Sequence, residues 1–154
     1  MDGNFRKLNV DQYDPSKFLF IQDLLPELPP VSDADIRARA TEVRSLLSGG
    51  DYSKALAVSL SDPPYGGSED IKNVNLQTVL DVLATIRSNN ITPTVQSLST
   101  EQRDILIKYI YKGMGSPVGQ ANGNGGILLT WFEKTVDITG QGSIIRYMSD
   151  RRTV

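Results

Sequence analysis

Six glycines fall within the fourteen residues 113–126, GMGSPVGQANGNGG. Backbone N–H groups in a glycine-rich turn can wrap a phosphate. That chemistry needs the glycines gathered in one tight turn and a Lys-Ser or Lys-Thr opening the next helix. Here they are spread out, no Lys follows, and the element before them reads as a helix, so a surface connection is the better reading. Paired carboxylates stand at Asp33/Asp35, Glu69-Asp70 and Glu101/Asp104. Each pair sits at an expected helix start, where the macrodipole favours acidic groups, and capping accounts for them without acid–base chemistry. The chain has no His and no Cys. That removes Ser–His and Cys–His catalysis, thiolate nucleophiles and zinc sites of the usual N/S kind. No catalytic residue, cofactor site or metal site is assigned.

What remains is the chemistry of contact. Lys108 and Lys112 are four apart and share a helix face beside Tyr111. They read either as side chains snorkelling from a buried helix or as an interface built from Tyr and Lys. Residues 142–154 carry three Arg and one Asp, so Arg151 and Arg152 could dock on an acidic partner or fray into solvent. Trp131, the single Trp, reads more readily as core than as interface. Asn90-Ile91-Thr92 matches a glycosylation sequon, with no secretory signal to support its use.

The elements that must position these residues follow from pattern. A chain of 154 residues suits one domain. A net charge of −2 does not suit a phosphate backbone as partner, so no nucleic acid is expected. No apolar run approaches the roughly 20 residues of a membrane span, and the charged start MDGNFRKLNV is unlike a signal peptide. An intracellular, soluble protein is expected. Residues 1–32 read as an extended arm and linker. They hold Phe5, Tyr13, Phe18 and Phe20, and then Pro26, Pro29 and Pro30, which cannot sit inside a helix. An arm so rich in anchors lies on this domain or on a partner.

Residues 33–154 read as a helical core. Ser32-x-x-Asp35 resembles a capping box, and Gly49-Gly50 a stop. Asp51 caps a short second helix that Pro63-Pro64 closes, and a third runs from Ser68 or Lys72 to Ser88 along Leu76, Val79, Leu80 and Leu83. Asn89-Asn90 is a plausible left-handed stop, and Pro93 is expected at the first position of a fourth helix. Ser99-x-x-Gln102 caps a fifth, 100–112, apolar on two sides and therefore central, which Gly113 should end. From 127 onward β-propensity allows a strand and a hairpin, while Leu128, Trp131, Phe132 and Val136 also fit a helix face; periodicity favours helix by little. The class is all-α, either antiparallel or superhelical.

Three stretches resemble a known family. They are Phe5-Arg6-Lys7-Leu8-Asn9-Val10-Asp11-Gln12-Tyr13-Asp14-Pro15-Ser16-Lys17-Phe18, then Leu106-Ile107-Lys108-Tyr109-Ile110-Tyr111-Lys112-Gly113-Met114, and a tail with Leu128-Leu129-Thr130-Trp131-Phe132-Glu133-Lys134, Gly142-Ser143-Ile144-Ile145-Arg146 and Arg151-Arg152-Thr153-Val154. In order and spacing they are similar to subunit 5, the smallest subunit, of the actin-related protein 2/3 complex. The resemblance implies an α-α superhelix behind an extended arm, with helices in the ambiguous tail. It implies a non-catalytic, cytoplasmic hetero-oligomer subunit in the assembly that nucleates branched actin filaments. The core would dock on the β-propeller subunit and touch the subunit 4 scaffold. The arm would tether actin-related protein 2 through Phe5, Arg6, Lys7, Val10, Tyr13, Asp14 and Phe18. ATP would belong to the actin-related subunits. The chain departs from the family pattern at Asn9, where Asp is common, and in the apolar, Pro-rich linker 19–32. Apart from the resemblance, a free-standing helical peptide-binding module and a small nucleotide-dependent enzyme are the alternatives.

Overall fold

Eight helices and no strand occur among the described residues of the computed structural model, which are Asp14, Leu24, Leu28, 31–120 and 123–154. The first, α1 (Asp33–Gly49), buries Ile36, Ala40 and Val43 on one side. It ends as its sequence suggests. Gly50 takes a left-handed φ of 82°, which costs glycine nothing, and its N–H reaches back into the last turn. Its start differs from expectation. Ser32 holds the N-cap position but makes no side-chain capping bond, and the Asp33 carboxylate accepts instead from Arg37 Nε at 3.0 Å. Helix α2 (Tyr52–Ser59) follows Asp51 and buries Ala55 and Leu56.

Helix α3 (Glu69–Thr85) begins at Ser68, whose hydroxyl accepts from Ile71 N at 3.4 Å. Its stripe of Leu76, Val79, Leu80 and Leu83 is fully covered. It stops three residues short of Ser88, because α4 (Ser88–Ser97) starts there after a turn at Ile86-Arg87. Asn89 and Asn90 therefore lie in the first turn of α4 and are no stop, and Pro93 lies inside the helix rather than at its first position. Asn89, the residue whose carbonyl Pro93 cannot reach, is exposed to water.

The capping box at α5 (Thr100–Gly115) forms in full: Ser99 Oγ accepts from Gln102 N at 3.2 Å, and Gln102 Oε1 accepts from Ser99 N at 3.0 Å. Every residue from Ile105 to Ile110 is buried, as a central helix requires. Gly113 does not end it. The glycine leaves room for α7, since a Cβ there would meet Leu128 Cδ1 at 3.0 Å and Leu80 Cδ2 at 3.3 Å. The expected loop is a continuation of α5, then the short helix α6 (Pro117–Gln120), with residues 121–122 outside the described set. A Cβ on Gly119 would fall well inside contact distance of Gly113 O, so two backbones touch where a phosphate cradle was conceivable.

The ambiguous tail is helical: α7 (Gly125–Thr139) and α8 (Gly142–Ser149). Helix α1 packs on α2 and α3, α5 on α7 and α8, and α4 on α7. Trp131 is core. It is fully buried, and its Nε1 donates to Leu83 O at 3.0 Å, satisfying a carbonyl in the last turn of α3. The buried Asn75 and Tyr109 side chains hydrogen-bond to each other across α3 and α5. Burial pushes the Tyr109 phenol well above its ordinary range, so it stays neutral there.

Candidate partner-binding surface

The outward side of α5 carries Lys108, Tyr111 and Lys112, and residues 150–154 run back across it. Lys108 is almost wholly buried, yet its ammonium is fully engaged. Nζ lies 2.6 Å from Asp150 Oδ2, donates to Tyr65 Oη at 3.2 Å and stands 4.6 Å from the centre of the Tyr65 ring. Asp150 also accepts from Arg152, through Nη2 at 2.8 Å and the backbone N–H at 2.9 Å. The Arg152 and Lys108 hydrogen bonds together hold the Asp150 carboxyl far below the usual carboxylate range, against the opposing effect of partial burial. The Arg152 guanidinium lies over the same Tyr65 ring, 5.0 Å from its centroid.

One turn on, Lys112 donates to the main-chain oxygen of Val154 and lies 3.6 Å from Glu69 Oε2. Lys72 of α3 donates to Thr153 Oγ1 at 3.0 Å. The Val154 side chain is buried, so the last residues are strapped down rather than frayed. Tyr111 stacks on Tyr147 of α8, centroids 4.3 Å apart and 5° from parallel, and meets Phe132 of α7 edge-on at 5.5 Å. Asp104, expected to serve as a cap residue, instead grips Arg146 of α8 by two hydrogen bonds of 2.7 Å. Beside the strap is a cleft of about 600 Å³ lined by Glu69, Lys108, Tyr111, Lys112, Tyr147 and Val154.

The structure thus brings Lys108 and Arg152 together on Asp150 and places Tyr111 and Lys112 in the lining of the same cleft, while Arg151 is exposed. Asp14 of the arm is exposed; Phe5, Arg6, Lys7, Val10, Tyr13 and Phe18 lie outside the described residues. Sequence reasoning missed Tyr65, Glu69, Lys72, Asp150 and Thr153 as members of the cluster. Partners 42 to 81 residues apart leave no local pattern to read. Among the described residues no group of three or more acidic side chains could hold a metal ion, and no helix is long and apolar enough to cross a membrane.

The family model described as "ARP2/3 complex 16 kDa subunit (p16-Arc)" matches residues 4–154. The chain is 37% identical to actin-related protein 2/3 complex subunit 5 of Saccharomyces cerevisiae, over the whole of both chains. It is 36% identical to subunit 5-B of Xenopus laevis and 34% identical to the human subunit 5-like protein, in each case across all of this chain and 97% of the relative.

Proposed function

Since the chain belongs to the 16 kDa (p16-Arc) subunit family of the ARP2/3 complex, and so is a structural, non-catalytic part of an actin-nucleating assembly, we propose that it works there as a docked core bearing a tether. The core, residues 33–154, docks on the β-propeller subunit and touches the subunit 4 scaffold. The arm, residues 1–32, holds actin-related protein 2 through Phe5, Arg6, Lys7, Val10, Tyr13, Asp14 and Phe18. Lys108, Tyr111, Lys112, Arg151 and Arg152 belong to the core's contact region. The place of work is the cytoplasmic actin cytoskeleton.

The observation that carries this reading is the span of the family match. It begins at residue 4 and so takes in the arm as well as the helices. An arm preserved together with its core across that span fits a tether, which raises the local concentration of its ligand without adding a catalytic group. The test is a tagged pull-down from native lysate at mild salt, with every co-purifying chain identified by mass spectrometry. Recovery of a β-propeller subunit and two actin-related proteins in equal amounts is expected. Recovery of the tagged chain alone would turn attention to a free-standing module.

A further inference from the structure

A groove of about 920 Å³ lies where the chain enters the core. Its floor is apolar and drawn from three places: Ile36 of α1, Leu60 just after α2 and Ile105 of α5. Its walls are tied to the main chain and to the strap. Asp62 takes a left-handed φ of 42°, and its carbonyl accepts from Arg39 Nη1 at 3.0 Å. Tyr65 lines the groove together with Arg152, which Asp150 holds over the ring. The charged groups of the lining are mixed, Arg39 and Arg152 against Asp35, Asp62 and Glu101, so apolar contact rather than charge selects what lies there.

The chain's own linker leads into this groove. Leu28 and Val31, which flank Pro29-Pro30 in the sequence, are half-buried and belong to its lining. The nine residues before Leu28, from Leu19 to Glu27, hold five large apolar side chains and no basic one. Leu24 is 44% exposed, an apolar side chain left open four residues from an apolar groove. A segment joined to the groove at Leu28 loses little freedom on closing the short loop between them. Pro26, Pro29 and Pro30 narrow the conformations it has to lose. An aromatic-lined groove also suits a Pro-rich chain.

We propose that residues 19–27 seat in this groove, with Leu24 and Leu25 over its apolar floor, so that the arm leaves the core near residue 18 rather than at Val31. The consequence, and only the consequence, rests on the tether reading above. The full reach of the free arm falls from roughly 100 Å to roughly 60 Å at the usual rise of an extended chain. A shorter arm that still spans its gap holds its ligand at a higher effective concentration.

The test uses the full chain. It has no Cys, so Gln22→Cys takes a single nitroxide label without disturbing an apolar side chain. The methyl resonances of Ile36, Leu60 and Ile105 should broaden several-fold more than those of Ile91 and Ile127, which line a separate cavity. Leu24→Asp with Leu25→Asp in the same labelled chain should abolish that difference. Both positions precede α1, so the helical core is kept. Equal broadening with and without the two substitutions would show a linker merely anchored at Leu28, and overturns the seat. No broadening at the groove methyls overturns it as well, and leaves the groove to a neighbouring subunit. A natural chain that shows the seat but recovers no actin-related protein from lysate would instead overturn the tether reading, so the two failures are distinguishable.

Discussion

Asp150 shows how one side chain can hold a termination in place. It stands between a nearly buried ammonium and a guanidinium, and both favour its charged form. Its carboxyl pKa is depressed in the folded protein, so the unfolded chain binds more protons in acid and stability rises with pH there. The contribution is complete above the ordinary carboxylate pKa of about 3.9 and is lost as pH falls from there toward the depressed value. Asp150→Asn leaves Lys108 with an uncompensated buried charge and should destabilise by about 3 kcal/mol at pH 7. Urea unfolding of both proteins from pH 7 to pH 2 checks this. The gap between them should be constant down to about pH 4 and shrink below it. A gap independent of pH would show that the loss comes from packing rather than charge. No reading of residues 142–154 alone finds this role, because the partner is on α5, 42 residues earlier.

At the scale of the helix, what was legible in the sequence was what local chemistry decides. The Ser99-x-x-Gln102 box, the Gly50 stop and the two-sided burial of α5 all follow from residues within a turn or two. The failures at helix ends and in the tail share one cause, which is packing across the fold. Asn89-Asn90 looks like a stop until α4 must start at Ser88 to reach α7, and Gly113 looks like an end until Leu128 and Leu80 press against it. The helix-or-hairpin ambiguity after 127 was of the same kind, since Trp131 takes its place by reaching a carbonyl of α3. Ser32 is a separate, local miss: the motif is present but the side-chain bond is not, and the polar contact at that end is Asp33 with Arg37. The two serines therefore make a matched pair. Ser99→Ala should cost about 1 kcal/mol in denaturant unfolding, and Ser32→Ala only a few tenths. Equal losses would show that capping at α1 operates without the side-chain bond seen at α5.

At the scale of the whole molecule, the proposed division into tether and core makes two kinds of damage separable. The arm adds its contacts to a core already held in place, so its loss should weaken one partner and spare the rest. Tyr13→Ala with Phe18→Ala removes two aromatic side chains. If each is fully covered on actin-related protein 2, each is worth about 1.5–3 kcal/mol, or roughly ten- to hundredfold in affinity. In the purified assembly, actin-related protein 2 should then dissociate on dilution while the β-propeller subunit stays with the tagged chain. Equal loss of both partners from the arm variant would mean that the aromatic residues of the arm belong to the core's own docking, and that tether and core are one surface.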